Sequence, residues 1–175
     1  MSPYTISPST LTDIPDLLRV INSAYRGEAS RAGWTTEADY LDGELRTDAG
    51  HLAELIGREQ AVILKCCDAG SQLAGCVFLE NHAGRLYLGM LSVQPNRQAQ
   101  GIGKLLLQGA EAHARQAGCR SIYMRVITLR TELIDWYVRH GYARTGEVIP
   151  FESPAKFGVP RQPLAFEILE KVIQV

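Results

Sequence analysis

No stretch of the 175 residues approaches the roughly 18 consecutive apolar side chains that a membrane-crossing helix needs, so a bilayer is not expected among the partners. The segment from Met1 to Ile14 has neither a basic start nor an apolar run of signal-peptide length, and the expectation is an unprocessed, cytoplasmic protein. An excess of charge of either sign is also missing. Lys and Arg total 18 against 19 Asp and Glu, with no long run of like charge, which excludes the basic footprint of a nucleic-acid binder. Any anionic ligand must therefore be held by local chemistry. Cysteine is scarce, and none of Cys66, Cys67, Cys76 and Cys119 shows the two-residue spacing of a zinc knuckle or a thioredoxin-like redox pair. The adjacent Cys66 and Cys67 sit in an apolar run and read as small strand hydrophobes, so no metal site is expected. The rest is ordinary. A hydrophobic share of 46% and a charged share of 21% match a folded globular chain, and the length suits one domain of roughly 100 to 200 residues spanning 1–175.

Tyr4 to Ser7 reads as a short strand, and Ser9 to Asp13 supplies capping chemistry for a helix whose apolar residues Ile14, Leu17, Leu18, Ile21 and Tyr25 recur at helical spacing. From Gly27 to Thr47 the pattern dissolves around Trp34 and Tyr40, with a short helix at Thr36 to Leu41. So long an irregular connection in a compact domain points to a functional segment. Asp48 then caps a short helix through Leu52, Leu55 and Ile56. Three β-rich runs follow, Ala61 to Cys67, Leu73 to Leu79 and Arg85 to Val93, joined by turn sequences and read as an antiparallel meander. A helix from Gly101 to about Gln116 precedes a strand at Ser121 to Ile127. A helix at Thr131 to His140 and strands at Tyr142 to Val148 and Leu164 to Val172 complete the chain, the last two joined by a Pro-rich loop. The order is mixed α+β, not the βαβα alternation of a doubly wound dinucleotide fold.

Leu86 to Leu106 reads LYLGMLSVQPNRQAQGIGKLL. A strand feeds a glycine-bearing turn that opens an amphipathic helix, whose first N–H groups lack intrahelical partners and carry partial positive charge, as a pyrophosphate requires. Gly101 and Gly103 let backbone approach phosphate oxygens closely, and Lys104 adds a cation. Taken alone, a glycine pair also fits a plain strand-turn-helix. A dinucleotide fingerprint would need a third glycine where Leu106 stands.

Gln98, Gly101 and Gly103, preceded by Leu91-Ser92-Val93-Gln94-Pro95, resemble the cofactor motif of the GNAT N-acyltransferases, an Arg or Gln followed after two residues by Gly-x-Gly or Gly-x-Ala. Trp136-Tyr137-Val138-Arg139-His140-Gly141-Tyr142 resembles the family's tyrosine followed by a Gly-Tyr or Gly-Phe ending, and the element order agrees over nearly the whole chain. The resemblance implies a GNAT-like, mainly antiparallel central sheet flanked by helices, with a splayed strand pair at the cofactor site. It also implies acetyl transfer from acetyl-CoA, without a metal, directly to a primary amine of a small molecule or peptide in a ternary complex. Leu91, Ser92 and Val93 would face the pantetheine arm, an N–H near Leu91 or Ser92 would serve the oxyanion, and Gln98, Ala99, Gln100, Gly101, Ile102, Gly103 and Lys104 would surround the pyrophosphate. Arg130 stands where the family often has an asparagine, and could serve a phosphate.

Tyr137 is the implied general acid, since a phenol is protonated near neutrality and can donate to a thiolate; it also fits a packing stripe with Leu133 and Ile134. No carboxylate lies on Arg85 to Val93. Glu80 is the tentative base, with a water chain as the alternative. Acceptor contacts are expected from Tyr25, Glu28, Arg31, Trp34, Glu37 and Arg46 in the early connection, and from Arg125. A homodimer is compatible with the resemblance. The rival reading is a non-catalytic acyl-CoA sensor on the same fold, which the bare cofactor strand permits and Tyr137 argues against.

Overall fold

The computed structural model describes residues 2–174. Its main sheet is built from β1 (Thr5–Pro8), β3 (Ala61–Cys67), β4 (Leu73–His82), β5 (Arg85–Val93), β6 (Ser121–Ile127), β7 (Ala143–Pro150) and β9 (Ala165–Val172), in the spatial order β1-β3-β4-β5-β6-β9-β7. Every neighbouring pair is antiparallel except β5 and β6. That parallel pair holds register only from Arg85 opposite Ser121 to Tyr87 opposite Tyr123, and beyond it the strands part. The splay expected beside the cofactor strand is thus present.

Helices cover both faces because the strands alternate apolar residues to either side. Leu17, Val20 and Ile21 of α1 (Ile14–Tyr25) and Leu52 and Leu55 of α3 (Ala49–Ile56) pack on one face against Ile63, Leu73, Cys76 and Phe78. On the other, Leu106, Leu107, Ala110 and Ala114 of α4 (Ile102–Gln116), with Ile134 and Tyr137 of α5 (Thr131–Arg139), meet Leu64, Cys66, Val77, Leu79 and Ile122. The Asp48 carboxylate accepts from His51 N–H at 2.8 Å and starts α3 as its capping chemistry predicts.

Strand β5 does not keep its alternation. Leu88 faces Leu79 and Gly89 faces Phe78 across the β4 ladder, but Ser92 already faces Cys76, so β5 carries one extra residue. The bulge falls at Met90, whose φ of 51° is left-handed. Before it, Leu86 and Leu88 point to the α4 side; after it, Leu91 and Val93 do. Ser92 Oγ donates to the Met90 carbonyl at 2.9 Å and fastens the kink.

The early connection differs from its expected form. The short helix is α2 (Gly27–Ser30), not Thr36 to Leu41; Ser30 Oγ donates to the Gly27 carbonyl there, while 37–41 forms a single turn. Leu41 then leaves as β2 (Leu41–Asp42), paired with β8 (Val159–Pro160) from the Pro-rich loop. Lys156–Asp48 and Arg161–Asp42 ion pairs at 3.0 and 2.7 Å join the same two segments. β4 runs three residues further than expected, to His82, because the hairpin turns on Ala83 and Gly84, both left-handed at φ 53° and 89°.

Candidate functional site

The turn that starts α4 is shaped for an anion. Ala99 and Gly101 are both left-handed (φ 64° and 81°), which curls the Gln98–Gly101 backbone, and no side chain caps the helix. The first intrahelical bond is Leu105 N–H to the Gly101 carbonyl, so the amides of Ile102, Gly103 and Lys104 have no partner within the helix. A Cβ on Gly101 would meet nothing within 4 Å, leaving open space above the turn. A cavity of about 330 Å³ begins here. Leu91 and Val93 line it on the splayed side of β5, where β6 offers no ladder partner. Trp34, Trp136 and His140 form its aromatic wall, with the Trp136 and His140 ring centroids 4.2 Å apart. Unpaired helix-start amides, an unpartnered strand edge and an apolar wall fit a pyrophosphate, a pantetheine amide chain and a thioester in that order.

A second cavity, of about 630 Å³, lies between the early connection, β4 to β6 and the Pro-rich loop. Its walls are aromatic, from Phe78, Tyr87 and Tyr123 on the sheet to Phe151, Phe157 and Phe166 near the late loop. Tyr25, Leu91, Arg130, Leu133 and Tyr137 border both cavities, so the two spaces meet at these side chains.

The junction is charged from behind. Glu37 is buried between two arginines: Arg26 Nη2 lies 3.0 Å from Oε1, and Arg130 Nη1 donates to Oε2 at 3.1 Å. Arg130 Nη2 also donates to Thr35 Oγ1 at 3.0 Å. Arg26 Nε and Nη1 and Arg130 Nε are buried without partners. Burial depresses the Arg26 guanidinium's affinity for its proton, against the pull of Glu37. Arg46 and Arg130 lie over the Tyr25 ring at 5.4 and 5.7 Å from its centroid. Burial pushes the Tyr25 phenol up to about 12 and holds Tyr137 well above the ordinary tyrosine range, in each case outweighing nearby guanidinium charge.

Residues 17–142 match the profile of the Acetyltransferase (GNAT) family. The chain belongs to this family. An acetyltransferase of Agrobacterium fabrum is 34% identical over 70 residues, covering 40% of this chain and 50% of that protein, so the match spans half the relative's length. The ribosomal-protein-S18-alanine N-acetyltransferase of Escherichia coli superposes with a TM-score of 0.72 at 17% identity, over 98% of this chain and 95% of its own. The PaiA N-acetyltransferase of Thermoplasma acidophilum, solved with coenzyme A, gives 0.70 at 20% identity over 98% and 99%. At such identities the likeness is one of fold.

Within this GNAT frame the expected site residues divide. Leu91, Val93, Gln98, Ala99, Gly101, Ile102, Gly103 and Lys104 line the cofactor cavity; Ser92 and Gln100 do not. The Ser92 side chain is occupied by the bulge. Gln98 folds back, its Oε1 accepting from Trp34 N–H at 2.9 Å, so it ties the early connection to the turn. Gly103 serves packing: a Cβ there would press on the Trp136 ring at 3.2 Å. Arg130 lines the cavity but its guanidinium is committed to Glu37 and Thr35.

Of the acceptor residues, Tyr25, Glu37, Arg46 and Arg125 line the larger cavity, whereas Trp34 lines the cofactor side instead. Glu28 and Arg31 line neither. Arg31 pairs outward with Glu28 and Asp39, and the Glu28 side chain is 93% exposed. Glu80 does line the larger cavity, but both its oxygens accept from Arg58 Nη1, at 3.0 and 3.2 Å. It pairs across the ladder with Tyr87, four residues before Leu91 on β5. His51, His82, Phe151, Phe157 and Phe166 also face the cavity and were not anticipated. They come from α3, the end of β4, the Pro-rich loop and the start of β9, and no local motif marks any of them.

Proposed function

We propose that the protein is an acetyl-CoA-dependent N-acetyltransferase that passes an acetyl group directly to a primary amine of a small molecule or peptide in a ternary complex. The observation that carries this reading is the meeting of the two cavities at Tyr25, Leu91 and Tyr137, which lets an amine on one side reach a thioester on the other. When bound, acetyl-CoA supplies the acetyl group as an activated thioester. The amides of Ile102, Gly103 and Lys104 take the pyrophosphate, and the unpaired edge of β5 takes the pantetheine arm and the carbonyl oxygen. As the C–N bond forms and the C–S bond breaks, Tyr137 gives its proton to the departing sulfur, and the proton that the acylated nitrogen sheds returns through water to the Tyr137 oxygen.

The amine must first lose a proton. Five guanidiniums, from Arg26, Arg46, Arg58, Arg125 and Arg130, face the acceptor cavity against the carboxylates of Glu37, Glu80 and Glu152. Such a surplus disfavours the ammonium form and releases its proton to water, so no carboxylate is needed at the junction. The test is an amine-library screen following release of free CoA thiol, then initial rates with both substrates varied. Intersecting double-reciprocal lines are expected; parallel lines would require an acyl-enzyme and overturn direct transfer. Tight acetyl-CoA binding with no thiol release for any amine would replace the enzyme with a sensor.

A further inference from the structure

The charges of the acceptor cavity do not balance, and the imbalance is concentrated beside the junction. Arg58 is neutralised by Glu54 and Glu80, and Arg26 and Arg130 share Glu37. Arg46 and Arg125 make no ion pair among the described residues, Glu152 being the one other carboxylate that lines the cavity, and each guanidinium lies near an aromatic ring instead, Arg46 at 5.4 Å from Tyr25 and Arg125 at 5.6 Å from Tyr87. The buried trio of Arg26, Arg130 and Glu37, which lines the same cavity, carries one net positive charge and three guanidinium nitrogens without acceptors. A cluster so charged and so dry favours an anion close by.

From this we infer that the acceptor is an amine carrying its own carboxylate, an α-amino acid in chemical class, and that Arg46 receives the carboxylate. The inference rests on the acetyltransferase reading and narrows it. Position selects Arg46 over Arg125. The attacking nitrogen must stand at the junction; both arginines line the acceptor cavity alone, but the ring that Arg46 covers, Tyr25, borders both cavities, whereas the ring beside Arg125, Tyr87, does not. A carboxylate one carbon away from the amine therefore falls to Arg46. The remaining body of the molecule faces Phe78, Tyr87 and Tyr123, which suits an apolar side chain. A volume of about 630 Å³ is in the range of small-ligand pockets and admits a molecule of that size whole. A peptide's terminal carboxylate offers the same chemistry, but at a greater distance from its amine.

The experiment compares the standard amino acids with their α-amides, their decarboxylated amines and their glycyl-extended dipeptides, read as kcat/KM by CoA thiol release. Binding of the same compounds to the CoA-loaded protein is measured by calorimetry. An amide is intrinsically favoured, since losing the carboxylate lowers the basicity of the amine and leaves more of it neutral. A preference for the free acid thus identifies recognition. The expected result is that some free amino acid exceeds its amide, amine and dipeptide, and that Arg46→Gln lowers kcat/KM for the acid by roughly 10-fold to 100-fold more than for the amide while leaving the affinity for CoA unchanged. Arg46→Lys should restore part of the preference, which a merely misfolded variant could not do.

Turnover with amides or polyamines in preference to acids overturns the inference but leaves the enzyme reading intact. So does a loss of acid preference in Arg125→Gln with Arg46→Gln unaffected, which would place the carboxylate far from the amine. Arg46-dependent binding of amino acids without any thiol release would uphold the carboxylate site and refute the enzyme.

Discussion

Tyr137 is both a packing residue and the proposed proton donor, and the two roles separate on deletion of one oxygen. Tyr137→Phe should keep fold and acetyl-CoA affinity yet lower the single-turnover rate by roughly 10²-fold to 10⁴-fold. Because burial holds this phenol well above the ordinary range near 10, it stays protonated across an ordinary assay range. The deficit should then be the same at pH 7 and pH 9 in rapid-quench measurements; a deficit that vanishes at pH 9 would point to another donor. Tyr25, whose phenol also borders the junction, is the control: Tyr25→Phe should disturb acceptor KM more than kcat. The two glycines of the turn should fail differently. Gly101→Val strains a φ of 81° directly beneath the anion site, whereas Gly103→Val forces Trp136 aside, so calorimetry should show weaker CoA binding in both and a lowered Tm most clearly in the second. Tyr137, Gly101 and Gly103 were legible because each sits in a local motif. Arg46 was legible only as one of several charges, and the Arg26–Glu37–Arg130 trio only in part, since its members come from elements far apart in the chain.

Most of the elements follow from local pattern: α1, the meander β3 to β5 and the amphipathic α4 all lie close to where periodicity puts them, although the Thr10–Asp13 capping box starts the 3-10 turn before α1 and not α1 itself. What periodicity missed is what depends on partners. β2 and β8 are two-residue strands that exist only because each pairs with the other, and the Met90 bulge is visible only as a shift in register with β4. The splay after Tyr87 needs its paired end held firmly, and Arg85 of β5 does so by reaching across β6 to Glu170 of β9, with Arg85 Nη2 2.9 Å from Oε1 and Ser121 Oγ donating to Oε2 at 2.6 Å. The hydrogen bond from Arg85 holds the Glu170 carboxyl below its ordinary value despite its partial burial. A carboxyl lowered by folding stabilises the native state above its unfolded pKa, about 4.3, and loses that contribution as pH falls through the folded value. Partial exposure limits the effect to about 1 kcal/mol or less. Denaturant titration should show Glu170→Gln less stable than wild type at pH 7, with the gap closing below about pH 4; a gap unchanged by acid would assign the loss to packing.

At the scale of the whole molecule, residues 27–47 act as a rim fixed at several points: Glu37 to two arginines, Gln98 to Trp34 N–H, and β2 to β8. Glu37 matters most, since Glu37→Gln leaves Arg26 and Arg130 buried side by side without a counter-charge. Breaking a buried pair in this way costs about 3–5 kcal/mol. At roughly 2–4 °C per kcal/mol for a domain of this size, calorimetry should record a Tm lower by about 10 °C. A shift under about 2 °C would mean that water reaches the pair. The bulge in β5 has a consequence of another kind, for the chain as an inherited string of fixed length. Even-numbered residues of that strand lie toward α4 up to Leu88, and odd-numbered ones from Leu91 onward. Parity changes once, at Met90. Loss of a single codon there would remove the extra residue and leave Leu88, Leu91 and Val93 on the α4 side in unbroken alternation, with Ser92 still opposite Cys76, whereas straightening the strand at full length would turn Leu91 and Val93 to the opposite side of the sheet. Descendants of this gene should therefore absorb a gap at position 90 without turning Leu91 and Val93 away from α4, losing only the left-handed kink.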